Sequence, residues 1–155
     1  MLTFRKAALD DAQLYFEWAN DAIVREQSYN SCQIDFENHK KWFATKLEDD
    51  SCMLLLFQNK KINIGQIRIE KQDEIEAVIG ISIASDYRGK GFAKKMLLLA
   101  SDYFLENHKG FFLSAFIKKQ NINSKYAFEK SGFEFKNIIV HKKCNSFHYI
   151  KQSKK

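Results

Sequence analysis

The sequence predicts an α/β (α+β) fold in which a mixed, mostly antiparallel sheet of about seven strands is flanked by about four helices. Seven short segments show the two-residue alternation or brief apolar run of strands, and four longer segments carry apolar residues at helical spacing. In addition, 45% of the 155 residues are hydrophobic, which suffices for a sizeable core. We therefore expect one domain over residues 1–155.

The N-terminal third is predicted to contain one strand and two helices. Residues 2–7 form the first strand, and Asp10 or Asp11 caps the first helix. The apolar face of this helix carries Ala12, Tyr15, Phe16 and Ala19. A polar loop over residues 28–31 leads to Asp35, which caps the second helix. The apolar face of that helix carries Phe36, Trp42, Phe43 and Leu47.

The rest of the chain is predicted to contribute six strands and two helices. Strands over residues 52–58, 62–70 and 74–85 form an antiparallel meander. A long helix then runs to about residue 107. Its residues at helical spacing are Phe92, Met96, Leu99 and Tyr103. The last elements are a strand at 111–117, a helix at 122–131 ending at Gly132, and strands at 133–141 and 147–152.

Composition and charge exclude several classes of protein. The charge of +6 suits a polyanionic partner, but Lys and Arg are dispersed, so a basic nucleic-acid-binding module is only a remote alternative. No apolar run approaches the roughly 18 residues of a membrane span, and residues 1–6 lack the order of a signal peptide. A cytoplasmic location without membrane or nucleic-acid partners is expected. Three widely spaced cysteines predict neither a disulfide framework nor a metal site.

Two glycines stand between the fourth predicted strand and the long helix. Residues 83–93 read Ile-Ala-Ser-Asp-Tyr-Arg-Gly-Lys-Gly-Phe-Ala. Glycines at a helix start let backbone N–H groups converge at the positive end of the helix dipole, which favours a phosphate. The segment matches neither the nucleotide P-loop nor the dinucleotide fingerprint. The alternative is a tight strand-to-helix turn that merely needs glycine.

Two motifs resemble the GNAT family of N-acetyltransferases. Arg88, Gly91 and Ala93 match R-x-x-G-x-A, which is similar to that family's acetyl-CoA signature. Residues 121–133, Asn-Ile-Asn-Ser-Lys-Tyr-Ala-Phe-Glu-Lys-Ser-Gly-Phe, resemble its second motif, N-x-x-S-x-x-x-F-E-K-x-G-F. Their order and placement on the predicted elements cover most of the chain. The resemblance implies the GNAT fold, with the fourth and fifth strands splayed apart.

The resemblance also implies how acetyl-CoA, the expected co-substrate, would bind. The pantetheine arm would pair with the edge of the fourth strand, at Ile81, Ser82 and Ile83. The loop and the helix start would wrap the pyrophosphate. These residues are Arg88, Gly89, Lys90, Gly91, Phe92, Ala93 and Lys94. Asn121, Ser124 and Phe128 would approach the pantetheine from the next helix, and Lys125 is a further candidate for the adenosine phosphate.

Acetyl transfer by direct attack in a ternary complex needs a neutral amine, an oxyanion donor and a proton route to the thiolate. The resemblance places the oxyanion donor on the backbone at 81–83. It also implies a tyrosine acid seven positions after Asn121, but that position holds Phe128. Tyr126 and Ser124 remain the acid candidates. Glu76, with Glu74 on the same face, and His39 are the candidates for the base.

The acceptor half combines polar, aromatic and cationic side chains. The predicted substrate-binding residues are Tyr29, Asn30, His39, Trp42, Gln66 and Arg68. This set is similar to bacterial nucleotide-amino-sugar N-acetyltransferases of the pseudaminic-acid type, which implies a 4-amino-4,6-dideoxy sugar nucleotide. A protein N-terminus, a lysine or a small polyamine is the alternative acceptor. Both a monomer and a homodimer are compatible with the sequence.

Overall fold

The computed structural model describes residues 1–153. The strands are β1 (Leu2–Lys6), β2 (Cys52–Asn59), β3 (Ile62–Lys71), β4 (Glu76–Ile83), β5 (Phe112–Lys118), β6 (Glu134–His141) and β7 (Cys144–Gln152). The α-helices in this range are α1 (Ala12–Ala19), α2 (Ala22–Gln27), α3 (Phe36–Glu48), α4 (Phe92–Asn107) and α5 (Ile122–Lys130). Lys154 and Lys155, the end of a basic run in the sequence, lie outside the described residues.

One seven-stranded sheet runs through the molecule in the order β1-β2-β3-β4-β5-β7-β6. Neighbouring strands are antiparallel except β4 and β5, which are parallel because α4 crosses over between them. The predicted mixed, mostly antiparallel sheet is therefore confirmed. β4 lies at the centre of the sheet. Its N-terminal part is paired with β3 on one side and with β5 on the other.

Helices cover both faces of the sheet because its strands alternate two apolar sets of side chains. Ile67 of β3, Ile79 of β4 and Leu113 of β5 point to the face that α4 and α5 cover. Leu54 and Leu56 of β2 point to the opposite face and pack against α1 and α3. The residues next along each strand, such as Arg68 and Ser114, therefore lie on the face of α1 and α3.

Helix α2 is absent from the sequence prediction. It has six residues and none of them is buried, so no apolar periodicity marks it. Asp21 makes this helix possible, because its Oδ1 accepts hydrogen bonds from the N–H groups of Ile23 (3.1 Å) and Val24 (3.2 Å). The Asp21 cap thus stabilises α2, which buries no side chain in the core.

Three local predictions need correction. Asp11 stands at the start of α1, but its carboxylate accepts from the Ala8 N–H (2.7 Å) and the Arg5 guanidinium (2.9 Å) and does not cap the helix. Leu99 is 40% exposed, because α4 buries the stripe through Met96, Ala100 and Phe104 instead. β7 begins at Cys144, three residues early, because Lys142 and Lys143 adopt positive φ and close a two-residue hairpin.

Candidate active site

The strands β4 and β5 pair only at their N-terminal ends. Glu76, Ala77 and Val78 are the three residues of β4 that face β5 partners, and the last pair is Val78 with Ser114. Beyond this pair β4 continues to Ile83 and β5 to Lys118 without pairing. The two strands therefore splay apart, as predicted, and leave one edge of β4 free beside Ile81, Ser82 and Ile83.

The loop after β4 presents backbone N–H groups beside this gap, at the C-terminal end of β4. Gly89 and Gly91 have φ values of 74° and 82°, which other residues adopt only with strain. The N–H of Arg88 donates to Ser85 (3.4 Å), whereas those of Gly89 and Lys90 have no hydrogen-bond partner in the described part of the chain. No side chain caps α4, so its first-turn N–H groups are also available to an anion.

The Arg88 side chain contacts the protein and not the open loop. Its Nη2 donates to Asp21 Oδ1 at 2.9 Å, and Asp21 is the cap of α2. Burial acts to raise the pKa of Asp21, but the bonds from Arg88 and from the backbone outweigh it and leave this pKa below its ordinary value. The ion pair fixes the glycine loop to α2, and Lys90 and Lys94 remain exposed beside the loop.

The second motif forms α5 and its cap. Asn121 Oδ1 accepts from the Ser124 N–H at 3.4 Å, which accounts for the asparagine at that position. Phe128 is 3% exposed and packs edge-on against Phe133, with ring centroids 5.0 Å apart. Tyr126 is 53% exposed on the outer side of α5. Phe128 is thus a core residue, and the tyrosine hydroxyl of this helix points away from the buried face that Phe128 occupies.

A cavity of about 220 Å³ lies on the α1–α3 face of the sheet, beside the point where β4 and β5 part. Val78 and Gly80 of β4 and Phe116 of β5 form part of its wall. Polar walls come from Tyr29, Arg68, Glu70, His141 and Lys142. A larger hollow of about 400 Å³ near Asp49, Tyr103 and His108 contains none of the predicted site residues. The smaller cavity is therefore the candidate acceptor site.

Two predicted substrate residues, Tyr29 and Arg68, line this cavity, and two more lie next to it. The Arg68 guanidinium lies 5.4 Å from the Trp42 ring, so Trp42 orients the cation. Gln66 donates to the Ser82 hydroxyl at 2.9 Å on the free end of β4. Asn30 is exposed, and its side chain accepts from the Cys32 N–H at 3.1 Å, which makes it a turn residue.

His39, predicted both as a base and as a substrate-binding residue, does not line the candidate acceptor cavity. It is 4% exposed, and its ring lies among those of Phe16, Trp42 and Phe43. Neither ring nitrogen has a hydrogen-bond partner, and burial lowers its pKa. The reason is helical spacing: His39 and Phe43 share the face of α3 that packs on α1 and the sheet.

Glu76 is half-buried and is linked by hydrogen bonds to two buried polar residues, first Ser114 and then His148, at the base of the splay. The Ser114 hydroxyl donates to Glu76 Oε2 at 2.6 Å, and His148 Nε2 lies 2.9 Å from the same hydroxyl oxygen. Because Ser114 has only one proton to donate, His148 must carry a proton on Nε2 and donate it to Ser114. Glu74 precedes β4 and is exposed. The carboxylate of Glu76 is therefore already bonded within the sheet.

His141 is the site residue that the sequence analysis missed. Its ring stacks on Phe116 with centroids 4.0 Å apart and an angle of 3°, and the Tyr29 ring lies nearly perpendicular to it with centroids 4.7 Å apart. The Tyr29 hydroxyl and Ser146 Oγ are 2.6 Å apart, which fixes the α2–α3 loop to β7. No local motif marks His141, since only the pairing of β5, β6 and β7 brings it to the cavity.

In the range 1–153 no group of three or more His, Cys, Asp or Glu side chains is placed to hold a metal ion. Within the same range no helix has the length and apolar character that crossing a membrane requires.

A family model described as "Acetyltransferase (GNAT) domain" matches residues 1–134. This range contains the splayed strands, the glycine loop, α4 and α5. Among curated proteins, the SPbeta prophage-derived uncharacterized N-acetyltransferase YokL of Bacillus subtilis is 27% identical over 105 residues. That match covers 66% of this chain and 59% of YokL, so it spans less than two thirds of the relative's length.

Solved structures, among them two of acetyltransferases, resemble this chain in fold over 97% of its length. The spermidine N-acetyltransferase of Vibrio cholerae, bound to CoA and spermine, has a TM-score of 0.87 and 18% identity over 97% of this chain and 94% of its own. The aminoglycoside acetyltransferase AAC(6')-Ib with ribostamycin and coenzyme A has a TM-score of 0.87 and 14% identity over 97% and 93%. An uncharacterized Bacillus halodurans protein has a TM-score of 0.85 and 19% identity over 97% and 83%. These similarities confirm the predicted fold class.

Proposed function

The chain belongs to the GNAT acetyltransferase family, and on this basis we propose that it transfers an acetyl group from acetyl-CoA to the primary amine of a small molecule. Our proposal for the acceptor is a nucleotide-linked amino sugar of the 4-amino-4,6-dideoxy type, as used in surface glycan biosynthesis. The observation that carries this choice of acceptor is the excess of cations around the candidate acceptor cavity.

The gap between β4 and β5 supports the proposal that acetyl-CoA binds there. In this proposal the pantetheine arm pairs with the free edge of β4 at 81–83, as an added strand would. The pyrophosphate accepts hydrogen bonds from the N–H groups between Gly89 and Ala93, where the α4 dipole is positive. Lys90 and Lys94 are exposed beside this loop and offset the phosphate charge. The thioester then lies near the splay, next to the acceptor cavity.

The reaction proposed for this site is a direct attack of the amine on the thioester. The nitrogen lone pair forms the C–N bond, a backbone N–H of β4 stabilises the oxyanion, and the C–S bond then breaks. Phe128 has no proton to give, and Tyr126 is half exposed on the outer side of α5. A thiol with a pKa of about 8.5 leaves readily as thiolate near neutral pH. Ser124 stays a candidate for a water-mediated relay.

The charges around the cavity favour an acceptor that carries phosphate. Arg68 and Lys142 line it, and Lys118 lies 5.7 Å from the Tyr29 ring behind it. Glu70 is its one lining carboxylate among the described residues, and it is already paired with Lys46 (2.6 Å) and Arg68 (3.4 Å). A diphosphate therefore meets an excess of cations, of which Lys142 has no carboxylate partner among the described residues, whereas the one lining carboxylate is already paired and cannot hold a polycation.

A polyamine is the second candidate acceptor. A protein N-terminus or a lysine is the third. The Vibrio cholerae neighbour in fold is a spermidine N-acetyltransferase, which supports an amine of this class. The two leading candidates differ in the sign of their charge. A comparison of acceptors of opposite charge therefore separates them.

A free-thiol release assay tests the proposal. The acceptors are a UDP-linked 4-amino-4,6-dideoxyhexose, spermidine and a peptide with a free N-terminus, each with acetyl-CoA. We expect rapid release with the sugar nucleotide and little with the other two. Arg68→Gln should raise the KM for the sugar nucleotide about tenfold or more, because a charge-assisted bond to phosphate contributes about 1.5–3 kcal/mol.

The matched control for Arg68→Gln is Lys60→Gln, which removes a cation from the β2–β3 turn away from the cavity. It should leave the KM unchanged. Thiol release with spermidine and none with the sugar nucleotide would exclude the acceptor proposed here and leave the acetyl-CoA part intact. No thiol release with any amine, despite correct folding, would refute the transferase proposal.

A further inference from the structure

We propose that His141 is the group that takes the proton from the acceptor amine. This inference rests on the acetyl transfer proposed above and assigns its base. At neutral pH most primary amines are ammonium ions, which have no lone pair for attack. A group that lines the acceptor cavity must therefore remove one proton before the C–N bond forms.

The position of His141 suits this role. It lies at the end of β6 and lines the cavity together with Gly80. Gly80 belongs to β4, the strand on which the thioester is proposed to bind. The stacked Phe116 ring and the perpendicular Tyr29 ring hold the imidazole in place. Neither ring nitrogen of His141 is hydrogen-bonded to another residue within 1–153. The imidazole is thus fixed in orientation while its nitrogens stay open to a ligand.

The surroundings keep this imidazole neutral. Burial is the main cause that lowers the pKa of His141, and the nearby Lys142 and His148 lower it further. The charged groups that face this region from other elements are Arg68 and Glu70 on β3, Lys118 on β5 and Glu76 on β4. Glu70 is paired with Lys46 and Arg68, and neither Glu70 nor Glu76 raises the pKa of His141.

The other bases near the cavity are already engaged. The Tyr29 hydroxyl is paired with Ser146, and burial raises its pKa. Glu76 does not line the cavity, and its Oε2 accepts from Ser114 at 2.6 Å at the base of the splay. A neutral imidazole with open nitrogens is therefore better suited to accept a proton than either group.

The proposed step balances in protons and bonds. An ammonium N–H proton moves to the free nitrogen of His141, which becomes an imidazolium, and the amine lone pair forms the C–N bond. The C–S bond then breaks and its electron pair stays on sulfur. The second nitrogen proton leaves the new amide and reaches the thiolate through water, and the imidazolium returns its proton to solvent. The products are the N-acetyl compound, CoA thiol and one released proton.

The test compares wild type and His141→Gln with the UDP-linked amino sugar and with spermidine, using the acceptor that gives the faster thiol release. Wild-type kcat should fall on the acid side, as His141 becomes protonated below pH 6.5. His141→Gln should lower kcat at pH 7 about 100-fold and lose this acid limb. Its rate should instead rise with pH until the amine itself deprotonates, and acetyl-CoA affinity should not change.

The matched control is His108→Gln, because His108 also stacks on a phenylalanine, Phe104, but lies at the far end of α4. It should keep both kcat and the acid limb. Retention of kcat and of the acid limb by His141→Gln, with their loss in Glu76→Gln, would refute the assignment while leaving acetyl transfer intact.

A second measurement needs no acceptor at all. The C2 proton resonance of His141, identified by its loss in His141→Gln, reports the pKa of this imidazole by NMR titration. We expect a pKa below the ordinary value of about 6.5. A pKa at or above that value would overturn the inference, and the result does not depend on which acceptor gives thiol release.

Discussion

Gly91→Glu should abolish acetyl-CoA binding, with at least a 100-fold loss of affinity in calorimetry. Gly91 has a φ of 82° and starts α4, where the N–H groups of the loop are open. A side chain at this φ is strained, so the loop must change shape to accept it. The added carboxylate also meets the pyrophosphate in the zone where the helix dipole favours a ligand anion. The backbone strain and the added negative charge both act on the proposed pyrophosphate-binding site.

Gly110→Glu is the matched control for this substitution. Gly110 has a similar φ of 87°, nothing lies within 4 Å of its added Cβ, and it stands near the opposite end of α4. The two variants should lose similar stability, since they impose the same backbone strain. Acetyl-CoA should still bind Gly110→Glu normally. Equal affinities of the two variants for acetyl-CoA would show that the glycine loop is not the pyrophosphate site.

Gly65→Ala should destabilise the protein by about 2–4 kcal/mol and lower Tm by roughly 5–12 °C. Gly65 pairs with Ile83 across β3 and β4. A Cβ at this position would lie 2.6 Å from the Ser82 carbonyl oxygen and 3.0 Å from Met96 Cε. The first of these neighbours is backbone and cannot turn away. Strands β3 and β4 must therefore separate at the free end of β4, and acetyl-CoA affinity should fall together with stability.

Gly80→Ala makes the same change on the neighbouring strand and serves as the control. No atom lies within 4 Å of a Cβ built on Gly80, and the residue lines the acceptor cavity. Its Tm in a thermal unfolding scan should equal or slightly exceed that of wild type, and acetyl-CoA should still bind. The added methyl group enters the cavity, so only the KM for the acceptor should rise. A Gly65→Ala protein as stable as Gly80→Ala would contradict the strand packing described here.

The predicted sheet agrees with the structure because its signals are local. Alternating apolar residues in β2 and β3 and the turn at Lys60 and Lys61, both at positive φ, define a hairpin within one stretch of chain. Helix α2 has no such signal, because none of its residues is buried. Its stability comes from Asp21, whose contact with Arg88 joins residues that are 67 positions apart.

The two halves of the candidate site also differ in whether their residues are close together in the sequence. The glycine loop is a contiguous motif, and the sequence places its residues next to the free edge of β4. The acceptor cavity depends on contacts such as that between Tyr29 and Ser146, which are 117 residues apart, and on the register that sets His141 against Phe116. Helical spacing alone also cannot decide which face of α3 turns inward, so the burial of His39 is visible only in the structure.

Hydrogen–deuterium exchange with and without acetyl-CoA tests most directly whether the splay of β4 and β5 is the acetyl-CoA site. We expect slower exchange of backbone N–H groups on the free edge of β4 at 81–83 and in the loop from Gly89 to Ala93, because both segments gain hydrogen bonds to the ligand. The Lys142–Lys143 turn and β1 should be unaffected. Binding that leaves exchange at 81–83 and 89–93 unchanged would contradict the account.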